Sequence, residues 1–598
     1  MFTLTIRRAA VAVAASTVTA STLAAGTLVP ASADPPLDVE QSKHGWITRT
    51  IQTMTDEEKV GQLFSSRVYG STVDSFDQNN VNQFGLGTPR EIIERYHLGG
   101  ILYFAWTHSV ESPEQTARLS NGIQDVATTT GAEIPMMISI DQEGGLVARV
   151  LEPATQTPGA MALGATRDTE GARDLAAIQG VELAAQGVTQ NFAPVADVNV
   201  NPANPVIGVR SFGSDPGLAA DLTAAQVRGY EEDAGISAAA KHFPGHGDTD
   251  VDSHFGFPVI NHTREEWEQL DAPPFQAAID EGIDVIMTAH IQVPALDDSG
   301  DPATLSKPIL TDVLRGEMGY DGVIVTDSLG MAGVREKYGD DRVPVLALKA
   351  GVDILLNAPD LEVAYNGVLD ALESGELSEQ RIDESLYRIL DLKWDNGVLH
   401  DPTVDPDSVM DVVGIDEHLD RAQEVTDESP TVVKNDAGVL PLAADGTDLL
   451  VTGYGVQTKE TLAAKLRERG APAAVAATST NPTQAQIDAA VAAVQDKDAA
   501  VVLTMNAASS SGQAGLVEAL RATGKPVVVA AVRNPYDIAE FAAAETFVAT
   551  YSYKTVALES LARVLFGEVS PSGTLPVDIP TKDDPDTVLF PYGTGLTW

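Results

Sequence analysis

The 598-residue chain predicts an α/β protein in two parts: a (β/α)8 barrel of the TIM type, then a three-layer α/β/α sandwich. Three observations lead there. From residue 45, apolar strand-like runs alternate with amphipathic helical stretches at about 40-residue spacing, the pattern of βα units around a parallel sheet. A Pro- and Asp-rich stretch from His400 to Ser408 interrupts that pattern and can continue neither helix nor strand. Beyond Lys434 a second α/β pattern begins.

In chain order, residues 1–33 read as an export signal. Arg7 and Arg8 precede an apolar run of small residues, and Ala31-Ser32-Ala33 forms a small-x-small cleavage site. The run is mostly Ala, Ser and Thr, too weakly apolar for a membrane span, so a secreted protein is expected, released or non-covalently wall-associated. The barrel is assigned to 45–398, with strands at Gly100–Phe104, Met136–Ile140, Thr189–Pro194, Ile236–Lys241, Val285–Ala289, Val323–Thr326 and Val352–Leu356. Seven strands plus one unrecognised near the start make eight. Between them lie helices such as 168–186, whose Leu175, Ile178 and Leu183 share a face. Residues 399–430 are assigned as linker. The sandwich takes 431–598, with strands at Leu449–Tyr454, Ala499–Thr504, Pro526–Val532 and Thr546–Tyr551.

Composition narrows the partners. With 38 Lys+Arg against 86 Asp+Glu, the net charge of −48 repels phosphate backbones, so no nucleic-acid partner is expected. The absence of Cys excludes disulfides, thiolate metal sites and a lipid-modified cysteine. A monomer is expected.

In an α/β barrel the reactive groups sit at the carboxyl ends of the strands. Here the candidate strands end at Asp141, Asp197, Lys241-His242, His290 and Asp327. The densest polar segment runs from Lys241 to His254, and four of the ten His (His242, His246, His254 and His262) fall between 242 and 262. Its Gly and Pro spacing provides no helical i, i+4 ligand pair, so no metal or other cofactor is expected. Asp252 and His254 lie two apart, and in an extended loop the carboxylate can grip the imidazole, as an acid/base site needs. Asp327, just past the apolar Val323–Val325 run, is placed to act as a nucleophile or charge stabiliser, as glycosidic bond cleavage requires.

Five motifs now carry a resemblance: Ile140-Asp141-Gln142-Glu143-Gly144-Gly145, Asn191 to Val198, Val206-Ile207-Gly208-Val209-Arg210-Ser211-Phe212, the 241–254 loop, and Val325-Thr326-Asp327-Ser328-Leu329-Gly330-Met331. From about Met54 to the C-terminus the chain resembles glycoside hydrolase family 3, in particular its β-N-acetylglucosaminidase branch. The pieces 431–436 and 571–577 resemble that family's second domain, for which the branch implies no catalytic residue. The resemblance implies that Asp327 is the nucleophile, that His254 paired with Asp252 is the general acid/base, and that Asp141, Arg210, Lys241 and His242 bind a terminal N-acetylglucosamine. It thus implies a secreted retaining exo-β-N-acetylglucosaminidase acting on peptidoglycan fragments or chitooligosaccharides. The alternatives are a β-N-acetylglucosaminide phosphorylase, a β-glucosidase or xylosidase of the same family, and a non-catalytic glycan-binding barrel. One departure stands out: relatives often carry Arg directly after the Gly pair, where this chain has Leu146, with Arg149 three residues on.

Overall fold

The computed structural model describes residues 39–251, 258–443 and 446–598. The signal reading of 1–33 and the proposed acid/base pair Asp252 and His254 lie outside the described residues.

Eight parallel strands form the first sheet: β1 (Phe64–Ser66), β2 (Gly100–Tyr103), β3 (Met137–Ile140), β4 (Gln190–Asn191), β5 (Ser237–Phe243), β6 (Val285–Thr288), β7 (Val323–Val325) and β8 (Leu355–Leu356). Their order is β7-β6-β5-β4-β3-β2-β1-β8, and a parallel bridge between Val325 and Ile354 joins the two ends into a barrel. The strand missing from the sequence reading is β1. It is Phe-Ser-Ser, too short and polar to stand out as an apolar run. Apart from β5, which runs on to Phe243, the remaining strands are shorter than their apolar runs, because the flanking residues of each run turn into the loops. β4, for example, keeps only Gln190-Asn191, which pair with Ser139-Ile140 on one side and Ser237-Ala238 on the other.

The second sheet has the order β11-β10-β12-β13-β14-β9, with β9 (Thr431–Asn435) antiparallel to β14 (Thr546–Ala549). Its other strands, β10 (Leu449–Gly453), β11 (Ala473–Val475), β12 (Ala499–Thr504) and β13 (Val527–Ala531), are parallel. Alternate side chains divide between two cores, as the period of two along a strand requires. Leu450, Ala500, Val502 and Val529 pack with Ile487, Leu516 and Leu520. Leu449, Val451, Val501 and Val528 pack with Leu462, Leu466, Leu558 and Leu561 on the other face. The outcome is the expected three-layer sandwich.

The segment between the two sheets contains helix Asp416–Asp427, whose Ala422 and Val425 pack against Leu175 and Ile178 of helix Thr169–Ala185. The preceding helix ends at Asp395, ahead of the Pro and Asp cluster, and helix Asp416–Asp427 begins eight residues after that cluster. Among the described residues no helix is long and apolar enough to cross a membrane.

Candidate active site

Each of the eight strands leads to a side chain at the carboxyl end of the barrel, within two residues of its last residue except for Asp197, which comes later in the segment after β4: Arg67, Phe104, Asp141, Asp197, His242, His290, Asp327 and Asn357. Six of them line a cavity of about 720 Å³, within the usual span for a small-molecule site. Asp197 and His290 stand behind its wall.

Local structure explains how these groups are aimed. Past β3, the side chain of Asn191 accepts from the Gln142 N–H and donates to its carbonyl, both at 2.9 Å, fixing the turn that presents Asp141 and Glu143. Gly144 and Gly145 both take positive φ, and a Cβ at Gly145 would lie 2.6 Å from the Pro158 carbonyl oxygen; only glycine allows that approach. In β5 the register shifts between Lys241 and Phe243. This bulge brings the consecutive Lys241 and His242 to one cavity.

A chain of ion pairs ties the walls together. Lys241 Nζ donates to Asp141 Oδ1 at 2.8 Å and reaches Glu143 Oε1 at 2.7 Å. Arg210 grips the same Glu143 through Nε at 2.9 Å and Nη2 at 2.8 Å, the bidentate geometry that suits a guanidinium. Burial opposes charge on Glu143, but Arg210 and Lys241 outweigh it and hold the carboxyl well below the usual range. Burial likewise works against the Lys241 ammonium, yet Asp141 and Glu143 keep it above its ordinary value. Asp197 is buried and receives three donors: His242 Nδ1 at 2.7 Å, the His242 N–H at 3.1 Å and the His246 N–H at 2.7 Å. A carboxylate only accepts, so Nδ1 of His242 carries the proton and Nε2 is turned toward Arg210 Nη2, 3.5 Å away.

Asp327 lines the cavity and has no salt-bridge partner among the described residues. Its Oδ1 accepts the Ser328 N–H at 2.6 Å. Burial pushes its carboxyl up, but the His242 and His290 rings, the Ser328 N–H and Lys241 together hold it below the ordinary carboxylate value. It is therefore an ionised nucleophile candidate without an ion pair to break. At the mouth, Phe104 and the exposed Trp106 stack at 4.8 Å, with the Arg149 and Arg67 guanidiniums over their rings at 5.6 and 5.7 Å.

The structure thus gathers Asp141, Arg210, Lys241, His242 and Asp327 in one cavity. The sequence reading left Glu143, Arg67 and Asn357 out of the site. Glu143 had a signal, its place two residues beyond Asp141 at the end of β3. Asn357 had the same signal, following directly on the Val352–Leu356 run, whereas Arg67 had none, because β1 is too short and polar to mark its own end. Leu146 also finds its place: it packs against the core shared with the second sheet, while Arg149 comes within 3.9 Å of Asp141 on the cavity side.

A closed α/β barrel with a carboxylate past β7 that has no ion-pair partner among the described residues, facing a cavity of saccharide size, defines a glycosidase type of site. The model of the glycosyl hydrolase family 3 N-terminal domain matches residues 55–392, and that of its C-terminal domain matches 430–598. The chain belongs to glycosyl hydrolase family 3. It is 41% identical over 376 residues to beta-hexosaminidase A of Pseudoalteromonas piscicida, a match that covers 59% of this chain and 62% of that relative's length. The beta-N-acetylglucosaminidase/beta-glucosidase of Cellulomonas fimi is 27% identical over 91% of this chain and 97% of its own. Among solved structures, a family 3 beta-N-acetylglucosaminidase from Paenibacillus sp. str. FPU-7 superposes with a TM-score of 0.79 at 37% identity, covering 88% of this chain and 99% of that one.

Proposed function

We propose that the protein is an exported, retaining exo-β-N-acetylglucosaminidase that removes terminal non-reducing β-linked GlcNAc from peptidoglycan fragments or chitooligosaccharides. The observation that carries this reading is the ionised Asp327, without an ion-pair partner among the described residues, beside the Asp141, Lys241, Glu143 and Arg210 network. The network offers charged donors and acceptors to the hydroxyls of one sugar ring, while Asp327 is free to bond to carbon.

In the first step an Asp327 carboxylate oxygen attacks the anomeric carbon as the glycosidic C–O bond breaks, and His254, oriented by Asp252, gives its proton to the departing oxygen. In the second, neutral His254 takes a proton from water, whose oxygen attacks the same carbon and releases Asp327. Two inversions retain the configuration. A His in this role avoids setting a second carboxylate opposite the attacking one. Asp141, Arg210, Lys241 and His242 hold the terminal sugar.

Incubation with a 5-fluoro-β-N-acetylglucosaminyl fluoride tests the mechanism. The peptide containing Asp327 gains the mass of one fluoroglycosyl group, and a label on any other residue overturns the assignment. The double name of the Cellulomonas relative gives a second reading, glucoside turnover in the same cavity. Comparing p-nitrophenyl N-acetyl-β-glucosaminide with the β-glucoside separates the two, and analysing products for GlcNAc or GlcNAc-1-phosphate in phosphate buffer tests phosphorolysis. Export is tested by sequencing the N-terminus of secreted protein, expected to begin at Asp34.

A further inference from the structure

The geometry points to Asn534, in the second domain, as a positioning residue for Arg210, which makes that domain part of the sugar-binding apparatus. This rests on the reading that Arg210 binds the sugar.

Arg210 ends a one-turn helix, Gly208–Arg210, in the long segment after β4. Within the barrel, Asn204 Oδ1 accepts the Val206 and Ile207 N–H groups at 2.9 Å just before the turn, and the turn itself is met from across the domain boundary. The Val209 N–H donates to Asn534 Oδ1 at 3.1 Å, and Asn534 Nδ2 donates to Asn506 Oδ1 at 3.2 Å, so the amide is fixed from behind by a residue of its own domain. Gly208 has φ +47°, and a Cβ there would stand 2.7 Å from Asn534 Oδ1. The approach is thus as close as the backbone permits. The Val209 side chain lies in the same apolar cluster as Ala507, Ile538 and Phe541 of the second domain.

Two residues beyond Asn534, the Tyr536 hydroxyl accepts from Asn199 Nδ2 at 2.9 Å. The Asn199 N–H donates to Ser211 Oγ, which in turn donates to the Asp197 carbonyl at 2.6 Å. Asp197 is the partner of His242. Two hydrogen-bonded paths therefore run from one loop of the second domain into the cavity, one ending at Arg210 and the other at His242. Further along, the Ser214 N–H donates to the Pro576 carbonyl at 2.9 Å, and Arg167 donates to the Leu575 carbonyl at 3.1 Å. The 571–577 motif thereby joins the two domains at a place apart from Val209 and Arg210.

Without Asn534 the Val209 N–H loses its partner, the turn relaxes, and Arg210 no longer meets the sugar where Glu143 and Lys241 present it. The test uses the full chain and p-nitrophenyl N-acetyl-β-glucosaminide, with kcat, KM and the inhibition constant of free GlcNAc as readouts. Asn534→Ala is expected to raise KM and that constant about tenfold while kcat stays within about threefold. Asn534→Asp, which keeps an acceptor for Val209, restores KM to within about threefold of the parent. In an Arg210→Ala background, Asn534→Ala adds less than about twofold, because a residue acting through Arg210 has nothing left to position. Arg167→Ala loosens the same interface away from Val209, so it lowers Tm and leaves KM unchanged. An Asn534→Ala enzyme with parental KM, or an equal effect with and without Arg210, overturns the proposal. Should Asn534→Ala fail to fold, Gly208→Ala strains the same contact from the barrel side, and parental KM there overturns it equally. If Arg210→Ala itself leaves KM unchanged, the sugar-binding reading of Arg210 falls. If Arg210→Ala raises KM and Asn534→Ala does not, only the present proposal falls.

Discussion

Two aspartates one strand apart, Asp327 and Asp353, occupy opposite ends of the same barrel. Asp353 sits before β8 at the amino end, where Arg315 at 2.7 Å, Arg388 at 3.2 Å and Arg381 at 3.6 Å surround its carboxylate. Ser385 Oγ at 2.6 Å and the Ile324 N–H at 3.0 Å complete its shell. Asp327, past β7 at the carboxyl end, has the Ser328 N–H and open space. Cavity size does not separate the two ends, since a cleft of about 550 Å³ also opens at the amino end beside Arg388. What separates them is saturation. At one end protein donors surround both oxygens of the carboxylate, whereas at the other, among the described residues, one N–H is accepted and the carboxylate faces the cavity.

Breaking the contrast at Asp327 has the largest expected effect. Asp327→Ala lowers kcat by about 10⁴-fold or more, the scale at which covalent nucleophiles act, yet leaves Tm unchanged or raised, because the side chain removed carries a charge that burial opposes. A large fall in Tm with residual turnover would mark Asp327 as another structural anchor. Asp353→Ala gives the opposite pattern. It strands three guanidiniums around an empty site and costs about 3–5 kcal/mol of stability, read by denaturant unfolding, while kcat of the folded fraction persists. Asp197→Asn tests a residue intermediate between the two, saturated by donors yet bonded to a cavity group. Displacing His242 lowers kcat/KM by about 10²-fold, with a smaller change in Tm than Asp353→Ala.

The smallest effect concerns the border of the active end. His262 bridges Asp248 at 3.0 Å and Asp271 at 2.7 Å, and these two carboxylates raise its pKa from 6.5 to about 10. The folded value is the higher, so the stabilisation is complete below about pH 6.5 and is lost as pH rises through about 10. Tm is expected to fall across that window, and His262→Gln flattens the dependence. An unchanged slope in the variant would remove His262 from the account.

Legibility follows the same contrast. Asp141, Lys241, His242 and Asp327 could be read as functional because each ends an apolar run that identifies its own strand, and strand ends point to one rim. Asp353 lies inside the run read as Val352–Leu356 and carried no mark of its three Arg partners, which come from two separate helical stretches. The strands β1, β9 and β11 escaped notice for a related reason. Phe64–Ser66 is short with two polar residues of three, Thr431–Asn435 ends in Lys434-Asn435, and Ala473–Val475 is only three residues. Each becomes a strand because a neighbour supplies its hydrogen bonds. Helix Asp416–Asp427 likewise forms in a stretch read as linker, stabilised by the apolar face of helix Thr169–Ala185.

The sequence by itself determined the class of fold and the chemistry on offer, since hydrophobic period and residue type are local properties that survive without a partner. Which carboxylate is saturated and which is free, and which asparagine of one domain braces the arginine of the other, were decided only by the tertiary structure. Asn534 and Val209 are 325 residues apart, and hydrogen bonding and charge compensation depend on distances of a few ångströms that no spacing along the chain encodes.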